Sequence, residues 1–270
     1  MTSRRVRVGL LAVGLLYLVA WFAPLLVPYD PAAQLDLVGG RLLPPSLAHP
    51  LGTDALSRDL LSRLLFGARL SLSIAALAVL VAVTFGTAVG LAAGLASGAV
   101  DAILMRSVDA ALAIPRVFLL IAILALWEQG GGATLVLVLG LTGWFGTSRL
   151  VRAEVLSLKR RDFVLAARAL GLPGWRIALR HVLPNAVAPI VVSATLGVGN
   201  TILIEAALSF LGIGVRPPLP SWGNMIADGQ AYLATSPWQA MAPGLAVVAT
   251  VMIFSVLGEA LRDTMDPRTR

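Results

Sequence analysis

The sequence has no cysteine, which excludes disulfides, zinc–thiolate sites and thiol catalysis. It has one lysine, Lys159, and no Gly-x4-Gly-Lys-Ser/Thr run, so the chain carries no P-loop for nucleotide hydrolysis. His-Glu-x-x-His, a Gly-x-Ser-x-Gly elbow and paired intramembrane carboxylates are also missing, and with them the usual marks of an enzyme. Charge is scarce as well. Only 13% of the 270 residues are Asp, Glu, Lys or Arg, against about 25% in a soluble domain. Apolar sequence takes their place, at 58% of residues and a mean hydropathy of +0.87. The net charge of +7 does not indicate nucleic acid, because the basic residues fall between apolar runs rather than on one face.

A hydrocarbon core of about 30 Å needs about 20 apolar helical residues. Six segments approach that length: 8–27, 70–97, 112–128, 133–151, 185–211 and 239–260. Asp109, Pro115 and Arg116 crowd the start of the third. The first follows Arg4, Arg5 and Arg7, is too long for a signal-peptide core and has no clear small-x-small site after it, so it reads as an uncleaved anchor. Arginine distribution sets the expected orientation. Three arginines precede the first span, and Arg262, Arg268 and Arg270 follow the last. Arg149, Arg152, Lys159, Arg160, Arg161, Arg168, Arg176 and Arg180 lie between the fourth and fifth, opposed only by Glu154 and Asp162. Six spans put all three regions on one side, the cytoplasm. The expected fold is therefore an all-α integral membrane protein with six transmembrane helices and both termini inside.

Several stretches carry more than span information. Gly86, Gly90 and Gly94 fall four apart on one face of the second span, extended by Ala93, Ala96 and Ser97. Such a stripe permits close helix approach, and packing within the chain is the expected use. Between the fourth and fifth spans, "DFVLAARALGLPGWRIALRHVLPN" (162–185) reads as two short helices. Asp162 is the expected N-cap and Gly171 the expected C′ residue. Pro173 and Gly174 form the turn, and Pro184 stops the second helix. Helices this short need something to pack on. Ala166, Ala167 and Ala169 offer a low-relief surface for docking, although a solvated basic loop obeying the positive-inside rule is the plainer reading. Residues 53–66 predict an amphipathic helix capped by Thr53, and His49 with Asp54 is too few ligands for a metal. Asn200 and Glu205 lie in the fifth span, Glu205 toward its outer end. They suggest a pore or outer gate, or structural pairing of loops at the mouth. The 212–238 segment, with Pro217, Pro218, Pro220, Trp222 and Trp238, suggests a landing surface for an external protein or interfacial anchoring.

"AARALG" followed by "RHVLPN" resembles the EAA loop of ABC-importer permeases. Ala166, Ala167, Gly171, Leu183 and Pro184 match its spacing, while Leu165 stands at the Glu position. "HPLGTDALSRDLLSRLLFGARLSL" (49–72), with Ser57 where the motif usually has Gly, is similar to the C-type permease subunit of dipeptide, oligopeptide and nickel importers. So are "VDAILMRSVDAALAIP" (100–115), "EAALSFLGIGVRPPLPSWGNMI" (205–226) and "LRDTMDPR" (261–268). The resemblance implies a type I importer permease fold, with an anchor and extracytoplasmic segment over 1–69 and a five-span core over 70–270. It implies a coupling helix in which Leu165, Ala166, Ala167, Arg168, Ala169, Gly171 and Leu172 face an ATPase subunit. The implied partners are a homologous B-type permease, two cytoplasmic ATPases that use ATP and Mg, an extracytoplasmic binding protein and the lipid of a bacterial inner membrane. The implied solute is a peptide, with nickel or another small solute as the alternative. This chain itself would bind no cofactor. A secondary transporter working without ATPases is the rival from another class, and it predicts internal repeats and charged midplane sites that the sequence does not display.

Overall fold

The computed structural model describes residues 4–34, 36–96, 98–127 and 131–265. Ser97, Arg268, Arg270 and the end of the 261–268 motif lie outside the described residues. The described chain is all-α. Its helices are α1 (Arg4–Trp21), α2 (Ala23–Leu26), α3 (Leu60–Leu95), α4 (Ala99–Leu112), α5 (Arg116–Ala125) and α6 (Gly132–Leu158). There follow α7 (Asp162–Ala169), α8 (Gly174–Ile177), a π-helical turn (Ala178–Val182), α9 (Leu183–Phe210), α10 (Trp222–Gln230) and α11 (Trp238–Met265).

Four helical stretches are long and apolar enough to cross a membrane: Leu60–Leu95, Gly132–Leu158, Gly174–Phe210 and Trp238–Met265. The expected third span is not one helix. It breaks at Ala113–Pro115 into α4 and α5, bent by 82°, and this pair makes a fifth span if counted as one. The expected first span is shifted to Arg4–Trp21, and Pro24 falls in the separate turn α2. With Arg4, Arg5 and Arg7 inside it, α1 is about 27 Å long but too charged to qualify as a span by composition. The anticipated six spans thus stand at four, or five, among the described residues.

Helix directions follow from the residues that meet. A Cβ at Gly86 would touch Thr147, one at Gly90 would touch Val151, and one at Gly94 would touch Val155. The partner advances by four each time the glycine does, so α3 and α6 run parallel. The intervening chain must therefore return across the same thickness, and the bent α4–α5 pair makes that crossing. Its second half packs inward, with Leu120 and Leu124 among Ile74, Leu135 and Leu139. In contrast, α9 is antiparallel to α11, because Gly199 meets Phe254 while Leu196 meets Gly258. α1 lies along α11, with Val6 against Leu257 and Ala260. The N-terminal arginines, the 162–185 hairpin and Arg262 consequently stand at one end of the bundle. We call this the hairpin end.

At the opposite end the expected amphipathic helix over 53–66 does not form. Asp54 accepts hydrogen bonds from the backbone of Leu56 and Arg58, a local turn that competes with helix. α3 starts only at Leu60, capped by Asp59, whose carboxylate accepts from Ser62 N at 2.8 Å. Thr53 is not the cap; its hydroxyl donates to the Gly40 carbonyl at 2.6 Å. Ser57 sits at φ +60°, a left-handed position that costs a side chain about 1–2 kcal/mol. In return its Oγ accepts from Asp36 N at 3.1 Å, a bond worth about 1 kcal/mol. Ser57→Gly relieves the strain and loses the bond, so its melting midpoint in detergent should stay within about 2 °C of wild type. Ser57→Ala keeps the strain and loses the bond, and should melt lower by about 3 °C.

Candidate functional site

The hairpin is built onto the bundle rather than hung from it. Val164, Ala167 and Ile177 turn inward and pack with Val151 and Val155 of α6 and Ala186 and Ile190 of α9. α7 starts at Asp162, with Arg161 in the cap position and no side-chain capping bond, so Asp162 is not the N-cap. One residue further in, its carboxylate still favours the positive helix end. At the other end Gly171, at φ +75°, donates to Arg168 O at 2.9 Å, and Leu172 N donates to Ala167 O at 3.2 Å. This is the Schellman pattern, and it sets a sharp stop where glycine is favoured. The inward turn of Ala167, 4% exposed, removes it from the expected docking surface. Leu165, Ala166, Arg168, Ala169, Leu170 and Gly171 face outward, and Leu172 is half-buried. Leu165 and Leu170 are 49% and 82% exposed, apolar surface with no partner among the described residues. Lys159 ties the hairpin to α3, donating to the Gly94 carbonyl at 2.8 Å at that helix's negative end. Partial burial and repulsion from Arg168 lower its pKa, which Asp101 partly offsets.

Pro184 was expected to end the second helix, yet α8, the π turn and α9 form one continuous helix, Gly174–Phe210. The wider turn lets Leu183 N reach back five residues to Ala178 O, absorbing the proline without a break. Asn185 Nδ2 then donates to the His181 carbonyl at 2.7 Å. The hairpin is thereby joined to α9 without an intervening loop. Its basic surface is also less one-sided than the sequence suggested. Arg152 makes a bidentate pair with Asp101 of α4, at 2.6 and 2.7 Å, and Arg149 lies 3.7 Å from Asp109.

Two cavities share Ser193. One, of about 590 Å³, opens between α6, α9 and α11 at the hairpin end and includes Glu154, Asn185 and Arg262 in its lining. The other, of about 160 Å³, lies deeper among α3, α5, α6 and α9 and is lined by Gly197, Asn200, Thr201 and Arg116. Asn185, Pro189, Ser193 and Gly197 fall four apart on α9, so one face of this helix lines both cavities. Asn200 is exposed at the end of that track. Glu205 is not on it, and the structure does not bring these two residues together. Glu205 is fully buried, away from the water expected at an outer mouth. Ser209 Oγ donates to it at 2.7 Å, with Ser71 of α3 and Ser221 beside it. The carboxylate thus sits where α9, α3 and the start of α10 meet. Trp222 is also misplaced for a landing surface: it is buried, with Nε1 donating to the Leu64 carbonyl at 3.2 Å. Arg216, Pro217, Pro218 and Leu219 remain exposed there. His49 Nδ1 lies 2.9 Å from Asp59 rather than pairing with Asp54. Asp54 instead meets Arg58 at 2.6 Å and Arg63 at 3.6 Å, and both arginines reach Asp228. The glycine stripe at 86, 90 and 94 is spent against α6.

Sequence reasoning passed over Arg116, treating it as a blemish in a weak span. Its signal was there: a cation directly after proline within an apolar run marks a broken helix with a charge at the break.

Comparison with known proteins bears on the whole chain. Residues 86–270 match the family model of the binding-protein-dependent transport system inner membrane component. Residues 2–45 match the N-terminal transmembrane domain of oligopeptide transport permease C. A dipeptide transport system permease protein, DppC, of Alkalihalophilus pseudofirmus is 40% identical over 97% of this chain and 86% of its own length. A glutathione transport system permease protein, GsiD, of Pectobacterium atrosepticum is 40% identical over 96% of this chain and 86% of its own. An oligopeptide transport system permease protein, OppC, of Bacillus subtilis is 37% identical over 100% and 87%.

Proposed function

The chain belongs to the binding-protein-dependent transport system inner membrane component family, and from that we propose that it is the pore-forming permease subunit of an ATP-driven peptide importer. The observation that carries the mechanism is the unbroken helix from the hairpin into α9. A partner that moves α7 and α8 moves, without slack, the helix whose track lines both cavities. Switching between inward- and outward-facing states requires such a rigid element.

In this reading the hairpin end is cytoplasmic, which agrees with the clustering of arginines there. Two ATPase subunits, using ATP and Mg, supply the force. One of them takes the outward surface of α7: Leu165, Ala166, Arg168, Ala169 and Leu170. A homologous B-type permease completes the pore, and an extracytoplasmic binding protein delivers the solute to the opposite end of the bundle. With Leu165 in place of an acid, docking rests on shape and apolar contact rather than on a salt bridge at that position. The relatives' names favour dipeptides and short oligopeptides as the solute.

Reconstitution into proteoliposomes tests this. The chain, its partner permease, both ATPases and the binding protein should accumulate a short peptide in an ATP-dependent manner. Uptake should fall to background when the ATPases or this chain are omitted. Accumulation by the chain without ATPases would establish a secondary transporter and reject the proposal.

A further inference from the structure

Arg116 carries a charge for which the described residues offer no ionic partner. Its Nη2 donates to the Leu139 carbonyl at 2.8 Å, while Nε is buried without a hydrogen-bond partner among the described residues. It makes no ion pair among the described residues, and the cavity around it contains no acidic side chain. Four arginines nearer the bundle ends, Arg152, Arg149, Arg58 and Arg63, do have carboxylate partners. The depth makes this costly. The cavity is reached by Ala78 and Ala82 of α3, Gly143 of α6 and Gly197 of α9, each near the middle of its helix. An arginine at the centre of a membrane helix is unfavourable unless it faces a partner or a water-filled path. One bond to a backbone carbonyl does not require a guanidinium; an amide side chain could make it.

We propose that Arg116 is a carboxylate-binding station at mid-depth of the translocation path, engaging the C-terminal carboxylate of the passing peptide. This rests on the peptide-importer reading. The planar guanidinium suits a carboxylate, and with Nη2 held by Leu139 and Nε buried, Nη1 is the donor left to bind. About 160 Å³ holds a carboxylate and a few waters but not a whole peptide, so the site takes an end group. Ser193 and Asn200, lining the same cavity, add neutral donors. Asn200 and Gly146 are exposed at its edge and Ser193 joins it to the larger cavity, so it opens onto the α9 track. The positive end of α5, where the crossing breaks, has the same sign.

The assembled importer provides the test. Uptake of a tripeptide acid and of its C-terminal amide is compared with the binding protein saturated by each. Wild type should favour the acid about tenfold, Arg116→Lys should retain part of that preference, and Arg116→Gln should bring the ratio near one. A parallel fall for acid and amide would overturn the station, as would an unchanged ratio. Loss of the partner permease from purified Arg116→Gln importer would also overturn it, assigning the carboxylate to that subunit. Phenylglyoxal modification of Arg116 in wild-type importer, followed by mass spectrometry, reads the site independently of transport. Acetate should slow it several-fold relative to equal acetamide, and equal rates overturn the anion site. Failure of wild type to take up either peptide, with acetate protection intact, would reject the peptide reading and keep the anion site.

Discussion

Gly90→Leu is expected to yield no monodisperse protein, and Gly90→Ala a protein destabilised by about 1–3 kcal/mol. A Cβ at Gly90 would lie 2.6 Å from the Ser148 carbonyl oxygen and 2.7 Å from Val151 Cβ. The first of these is helix backbone and cannot swing aside. Gly86 and Gly94 repeat the constraint one turn away on either side, against Thr147 and Val155 at 2.7 and 2.6 Å. Separating α3 from α6 at Gly90 would therefore open the contact along all three turns. Without water's hydrophobic drive inside a bilayer, close packing is what holds such helices together. Size-exclusion profiles and melting midpoints in detergent read the effect. Gly14→Ala, at a position with nothing within 4 Å, is the control and should match wild type. A Gly90→Leu protein that elutes and melts like wild type would show that α3 and α6 do not approach this closely.

Two adjacent alanines of α7 should fail in different ways. Ala166 is exposed, so Ala166→Trp should leave the melting midpoint unchanged while blocking the proposed docking surface. Peptide uptake by the assembled importer should drop at least tenfold, through lost ATPase association or through hydrolysis no longer coupled to transport. That figure corresponds to about 1.4 kcal/mol, modest for a buried tryptophan-sized clash. Ala167 packs inward against the Val151, Val155 and Ile177 cluster. Ala167→Leu should lower the melting midpoint first, by overpacking worth about 1–3 kcal/mol, with transport lost only as a consequence. Wild-type uptake by Ala166→Trp would move the docking surface elsewhere on the hairpin.

The pattern of expectations met and missed follows the range of the forces involved. The membrane class was legible because apolar length is a local property, readable over about 20 residues at a time. The hairpin was legible for the same reason: Gly171 and the Ala-rich helix before it set local conformation, and the helix ends in the turn their spacing predicted. Asp162 slipped by one position, with Arg161 taking the cap. Pro184 was misjudged because a π turn, invisible in periodicity, absorbs it. The same holds at residues 53–59, where side-chain bonds from Asp54 outcompete a sound amphipathic pattern.

By itself the sequence determined an all-helical membrane protein, its basic hairpin and its family motifs, since hydropathy, turn residues and motif spacing act along the chain. Only the tertiary structure decided which charges meet across it. Asp101 neutralises Arg152, and Glu205 is buried among serines from three elements. Arg116, bonded to the Leu139 carbonyl, is left without an ionic partner among the described residues, at mid-depth beside the α9 track. Helices distant in sequence set these outcomes, because a buried charge is stabilised or stranded by whatever neighbour the packing brings, and one-dimensional spacing does not record it.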